Sequence, residues 1–291
     1  MNYTIVHKTI YSYFEPVSLC HSIARLVPRS TDRQYCRNAV VEISPLPEML
    51  NGYEDFFGNK AIYFSIETEH KQLSVTVTSD IEKLNPGEQQ VSEGGPTLET
   101  AIRELLALAG EDIEIRQFVF PTPMTTWDEQ IEYYARVSFK EDRPVLAAVL
   151  ELMHRIHTDF AYQPGQTTVS TPLSTVMEQR QGVCQDFAHL AIACLRSVGL
   201  PARYVSGYIE TISPVGSEKL IGTDASHAWF SVYIPGMGWM EFDPTNNLVP
   251  ADQHITIGWG RDYADIAPLK GILVSSGQHE MTVSVDVKRE S

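Results

Sequence analysis

A thiol performs acyl chemistry only as a thiolate, and the entrance of a helix is one of the few places a chain can favour that form. Free N–H groups and a partial positive charge there lower a thiol pKa and can also hold an oxyanion. The stretch QGVCQDFAHLAIACLRSVGLPARYVSGY, residues 181–208, puts Cys184 in such a position. Phe187, Leu190, Ala191, Cys194, Leu195 and Val198 recur at helical spacing, and Gly199 and Pro201 close the run. Cys194 therefore falls in the buried stripe and Cys184 in the opening turn. Cys20, Cys36 and Cys194 read as small buried hydrophobes.

A nucleophilic thiol needs a base, and the base needs an acceptor for its other ring nitrogen. SHAWFSVYIPGMGWMEFDPT, residues 226–245, offers His227 and Asp243. With Ile234, Pro235 and Gly236 as a three-residue loop, Tyr233 opposes Met237 and His227 directly opposes Asp243. Their Cβ atoms would then be roughly 5 Å apart. The same register puts Ala228, Phe230, Val232, Met240 and Phe242 on one apolar face, with His227, Trp229, Ser231, Glu241 and Asp243 on the other. A four-residue loop would separate the histidine from the aspartate. Taken singly, a strand histidine and a DPT turn have ordinary structural readings.

The surrounding elements follow from periodicity. YTIVHKTIYSYF, AVVEISP, AIYFSIETEH and QLSVTVTSDIEKL read as strands, with NGYEDFFGN as a turn-forming cluster between them. An all-β unit over 1–85 is expected, then a linker over 86–97, rich in Pro, Gly and polar residues. Leu98, Ile102, Leu105, Leu106 and Ala109 fit a helix capped by Thr97, and a longer helix starts near Asp142 with Pro144 in its first turn. ARYVSGYIE, HAWFSVYI, WMEFDP, GILVSS and MTVSVDV return to strand character. Residues 98–291 are expected as the catalytic unit, with its core over 145–250.

Composition excludes some partners. The chain has 291 residues and a net charge of −15, which repels phosphate backbones and anionic lipid surfaces, so neither nucleic acid nor membrane is an expected partner. The N-terminus shows no basic segment followed by an apolar core, and VLAAVLELM is too short to span a bilayer. Four cysteines without a CxxC pair read as free thiols. A cytoplasmic location is the resulting expectation.

GVCQDFAHLAIACLRSVGLPARYVSGY, then HAWFSVY, then GWMEFDPT resembles the transglutaminase-like superfamily, in which Cys, His and Asp occur in that order. The strand-rich start is similar to the β domain that precedes this core in bacterial members, and GRDYADIAPLKG to their downstream segment. The resemblance implies an α+β, papain-like core, a cysteine helix on an antiparallel sheet, preceded by an all-β N-terminal domain. It also implies Cys184 as nucleophile, His227 as base and Asp243 as its orienter. Tyr162 is a candidate second oxyanion donor, and Gln185 and Trp229 are candidate cleft residues, as is Trp239. Hydrolysis of a peptide or protein amide through a thioester is the leading expectation, with no cofactor. Transfer of the acyl group to an amine, or an inactive binding protein on the same fold, are the alternatives. No calcium loop of the D-x-[DN]-x-[DN]-G type is present. Glu151, His154 and His157 share one helical face, but without an HExxH pattern or a distant fourth ligand no metal is expected there.

Overall fold

A computed structural model describes residues 1–84, 94–211 and 225–290. Most of the expected linker at 86–97 lies outside the described residues. The chain opens with β1 (Asn2–Val17), β2 (Leu19–Ala24), β3 (Gln34–Ser44), β4 (Met49–Glu54), β5 (Lys60–Ile66) and β6 (His70–Lys83). Alternation sets their faces: Leu73, Val75, Val77 and Ile81 of β6 point inward. Tyr13, Cys20, Phe64, Ile66, Leu73 and Val75 meet in one core between two sheets, making a β-sandwich. β4 corrects one expectation. Asn51-Gly52 looks like a turn, yet Met49–Glu54 pairs along β5 as an exposed edge strand.

The helices are α1 (Leu98–Ala107), α2 (Glu129–Ser138), α3 (Val145–Asp159), α4 (Leu173–Gln179) and α5 (Cys184–Ser197). Thr97 caps α1 through Thr100 N as expected, whereas Pro144 is the N-cap of α3 rather than part of its first turn. Two short strands, β7 (Ala161–Tyr162) and β8 (Gln181–Gly182), pair in parallel just before α5. A third four-stranded sheet comprises β9 (Ala202–Ile209), β10 (Ala225–Ile234), β11 (Gly238–Phe242) and β12 (His254–Gly260), antiparallel in the order β11-β10-β9-β12.

α5 lies on this sheet. Phe187, Leu190, Ala191, Cys194, Leu195 and Val198 are buried, and so are Ala228, Phe230, Val232, Met240 and Phe242 on the sheet face they meet. The alanines of α5 allow close approach, and truncating Leu190 or Leu195 to Ala would cost about 2–5 kcal/mol. The helix is buried on more than its apolar stripe. Arg196 is 2% exposed and donates to the carbonyls of Phe118, Ala202 and Arg261, so a cation sits inside with its donors matched.

The chain then returns to its beginning. β13 (Leu269–Val274) pairs with β2, and β14 (His279–Glu290) pairs with β1 along nearly its whole length. The expected catalytic unit of 98–291 includes these two strands, and their hydrogen bonds run to the N-terminal strands β2 and β1. The sandwich packs on that sheet through Tyr3, Ile5, Ile81, Val285 and Val287 against Tyr208, Ile255 and Ile257. Side-chain amides serve the outer edge of β12. Gln34 exchanges two hydrogen bonds with Thr256 (2.7 and 3.0 Å), and Asn59 two with Trp259 (2.8 and 3.0 Å), satisfying backbone groups that an edge strand leaves open.

Candidate active site

The entrance of α5 is built by close approach. Asp186 accepts from the N–H of Val183 at 2.8 Å and from Thr167 Oγ1 at 2.7 Å, tying the turn and a neighbouring loop to the helix start. A Cβ on Gly182 would lie 2.9 Å from Asp186 Oδ2, so the residue two before the cysteine has no room for a side chain. Burial pushes the Asp186 carboxyl pKa up, against these hydrogen bonds. Cys184 is the first residue of the helix and half-buried, beside N–H groups that have no acceptor within the helix.

His227 and Asp243 meet, though not by the expected pairing. The hairpin pairs Ile234 with Gly238 and Tyr233 with Trp239, so the loop is Pro235–Met237 and the register is displaced by two residues. Extending it sets Asp243 opposite Trp229 and diagonal to His227. A shift of two preserves the face, and a diagonal neighbour is within reach of an imidazole. His227 Nε2 donates to Asp243 Oδ2 at 2.7 Å.

Asp243 has further donors. The same Oδ2 accepts from Asn246 Nδ2 at 2.7 Å and from His254 Nε2 at 3.0 Å, while Oδ1 accepts from the N–H groups of Thr245 and Asn246 at 3.0 and 3.2 Å. Burial opposes the charge, but the hydrogen bonds from His227 and His254 outweigh it and hold the carboxyl well below the usual range. Burial likewise opposes charging His227. Hydrogen bonds with Asp243 and Cys184, and the negative charge of both, overcome it and raise its pKa to about 10. With Nε2 committed to Asp243, Nδ1 is the ring atom left for the thiol.

His254 carries no signal in the sequence: it opens β12, eleven residues beyond Asp243, with no motif around it. Among the described residues, ligand atoms of His227, Asp243 and His254 lie within 4.8 Å of one another, a grouping that could hold a cation. Their contacts of 2.7 and 3.0 Å are those of shared protons, shorter than the about 3.4 Å between ligands of a tetrahedral zinc. The helix face considered for metal is otherwise engaged. Glu151 pairs with Arg143, His157 Nδ1 donates to the Thr245 carbonyl at 2.9 Å, and His154 Nδ1 accepts from Asn247 at 3.1 Å. The two histidines thus brace the turn that presents Asp243.

Cys184 and His227 line one cavity of about 510 Å³, together with Gln185, Tyr204 and Tyr263. Its opposite wall comes from β1 and β14, through His7, Tyr11, Met281 and Val283. Gln185 also donates to the Val169 carbonyl at 3.4 Å. Tyr162 is 53% exposed, its ring meeting Phe187 at 6.4 Å, and burial followed by the charge of Cys184 raises its hydroxyl pKa. Trp229 is not a cleft residue. It is fully buried behind the histidines and donates to Glu241 Oε2 at 2.9 Å. Trp239 lines a separate cavity.

Family models match both halves of this architecture: the bacterial transglutaminase-like N-terminal region over residues 3–82, and the transglutaminase-like superfamily over 132–244. The chain belongs to the transglutaminase-like superfamily. Its family and fold are consistent with protease- or transferase-type chemistry. An uncharacterized Mycobacterium tuberculosis protein is 38% identical across 98% of this chain and 92% of its own length. A protein-glutamine gamma-glutamyltransferase from Pseudomonas aeruginosa is 30% identical over 118 residues, 40% of this chain and 17% of that protein. The crystal structure of a candidate cysteine protease from Cytophaga hutchinsonii superposes with a TM-score of 0.76 at 26% identity, covering all of this chain and 92% of the other.

The expectation of a cytoplasmic location is corrected. The matched structures include the periplasmic domain of TgpA from Pseudomonas aeruginosa, with 17% identity, 82% and 87% coverage and a TM-score of 0.38. No helix among the described residues is long and apolar enough to cross a membrane.

Proposed function

We propose that the chain is a thiol-dependent acyl transferase acting on peptide or protein amides, with a primary amine as acceptor. The carrying observation is that Cys184, at the entrance of α5, shares a cavity with His227, whose Nε2 is held by Asp243 at 2.7 Å. Cys184 thiolate attacks the amide carbonyl, and first-turn N–H groups of α5 stabilise the oxyanion. The C–N bond breaks as imidazolium His227 gives its proton to the leaving amine, and a thioester remains. An incoming amine then attacks the thioester carbonyl, its proton passes to His227, and the thiolate departs. Asp243 keeps the imidazole oriented and favours its charged form in each half-reaction.

The amine acceptor draws support from the gamma-glutamyltransferase similarity, which spans part of this chain. Water as acceptor is the second reading, favoured by the full-length match to the candidate cysteine protease. One experiment tests both. A glutamine-containing peptide library is incubated with a fluorescent primary amine, and intact-protein and product masses are followed in wild type and Cys184→Ala. Amine-bearing product with a Cys184-bound acyl intermediate supports transfer, and free acid product alone supports hydrolysis. A chain with no acyl intermediate, whose Cys184 alkylates no faster than an ordinary thiol, is a binding protein and the proposal fails.

A further inference from the structure

A second cavity, of about 410 Å³, opens between the β-sandwich and the sheet bearing His227, and its chemistry contrasts with the acidity of the chain. Lys83, Arg33 and Arg203 contribute cations to it, and Asp32 and Glu241 carboxylates. Glu241 is already engaged by Trp229 Nε1 at 2.9 Å. Arg203 is 8% exposed, with Trp239 and Trp259 4.2 and 3.8 Å from its guanidinium carbon. Indoles cover the faces of a guanidinium but leave its N–H edge to be satisfied in plane. One donor on that edge is unsatisfied here: Arg203 Nε is buried without a partner. So is His254 Nδ1, on a second side chain lining the same cavity. Burial lowers the pKa of Arg203 to about 9 and of Lys83 to about 8, the cost of enclosing charge without full compensation.

We propose that this cavity binds a small oxyanion, a carboxylate or phosphate compound, between Arg203, Lys83 and His254, and that occupancy is relayed to Asp243 through the His254 ring. Arg203 Nε–H then donates to the ligand, and so does His254 Nδ1–H once the ring has taken up one proton from solvent together with the anion. His254 Nε2 remains on Asp243 Oδ2, so the ligand and His227 act on opposite ends of one hydrogen-bonded chain. Lys83 Nζ, which donates to the His254 carbonyl at 2.6 Å, ties the backbone of that histidine to the cavity wall. Oxyanion binding stands independently of the acyl-transfer reading; the relay to Cys184 rests on it.

Calorimetric titration with inorganic phosphate and with succinate, at constant ionic strength against chloride, tests the site. Saturable binding of at least one anion is expected, weakened about tenfold or more in Arg203→Met and in Lys83→Gln. The two anions distinguish a phosphate ligand from a carboxylate one. Lys83→Gln preserves the test if Arg203→Met does not fold. No saturable binding, or equal affinity in every folded variant, overturns the site. The relay is read as the rate of Cys184 alkylation with and without saturating anion, expected to differ by about fivefold in wild type and not in His254→Phe. An unchanged wild-type rate overturns the relay. A Cys184 with no enhanced reactivity counts against the acyl-transfer reading and leaves the calorimetric result standing.

Discussion

His254 Nε2 lies 3.0 Å from Asp243 Oδ2, the carboxylate oxygen that His227 engages at 2.7 Å. Two imidazoles therefore compete for one acceptor, and the strength of the His227 bond depends on how much of that oxygen His254 takes. Replacing His254 by Phe returns the acceptor to His227 and favours its imidazolium. The high-pH limb of Cys184 alkylation should move upward, while stability falls by about 1–3 kcal/mol from the lost buried hydrogen bond. A pH–rate profile with iodoacetamide and a urea denaturation curve measure the two effects, and an unmoved limb would assign His254 to packing alone.

Asp243→Asn reverses the electrostatics. An amide cannot accept from His227, His254 and Asn246 at once, and it offers no negative charge to an imidazolium. A rate loss on the order of 10⁴ is expected, as for a base held in the wrong tautomer. The pH dependence of stability carries a separate signature. His227 has a folded pKa of about 10 against an ordinary 6.5, so its contribution is complete below about 6.5 and is lost as pH rises toward 10. Asp243 is depressed below 3.8, so its contribution is present above that value and is lost as pH falls. The difference in stability between wild type and Asp243→Asn should be greatest between these limits and shrink on both sides. Chemical denaturation across pH 3 to 10 reads it directly.

Thiol selectivity separates Cys184 from its neighbours. Burial pushes the Cys194 thiol up to about 12, and raises Cys20 and Cys36 as well. Cys184 is half-buried but opens into a cavity beside His227. Limited iodoacetamide at pH 7, followed by peptide mapping, should label Cys184 first, and His227→Ala should remove the preference. Labelling led by Cys36 would count against a paired thiolate and imidazolium.

The site was legible where two constraints coincided. Cys184 is marked by the glycine before it and the apolar stripe after it, and His227 with Asp243 by strand parity, which survived a register error of two residues because two is the period of a strand. His254 was not legible, since it reaches Asp243 from β12, a strand that pairs with β9 rather than with the hairpin. β4 was hidden by Asn51-Gly52, a turn signal overridden by pairing with β5. The placement of β13 and β14 was hidden for a different reason. Their alternation is ordinary strand, and nothing local states that the partners are β2 and β1, more than two hundred residues earlier.

Gly207 tests how tightly the histidine layer is set. It pairs with His227 across β9 and β10, and a Cβ there would sit 2.2 Å from the Ile255 carbonyl and 2.4 Å from the Trp229 ring. Neither can yield easily, one being backbone and the other a fully buried indole. Gly207→Ala should destabilise by about 3 kcal/mol and displace Trp229 toward His254. Thermal denaturation gives the first effect, and quenching of Trp fluorescence by iodide the second.

Substrate selection should depend on the β-sandwich, because Met281 and Val283 of β14 line the same cavity as Cys184. Val283 is 43% exposed, so a polar replacement does not threaten the fold. Val283→Asp puts a carboxylate into an otherwise apolar stretch of that wall and near the space a donor side chain must cross. Binding that is equal in ground and transition states changes KM and leaves kcat alone. KM for apolar peptide donors should therefore rise about tenfold with kcat within a factor of about two, and donors with Lys or Arg near the amide should lose less. Steady-state kinetics on matched peptides separate the outcomes. A fall in kcat with unchanged KM would mean that β14 holds the reacting groups in place rather than selecting what reaches them.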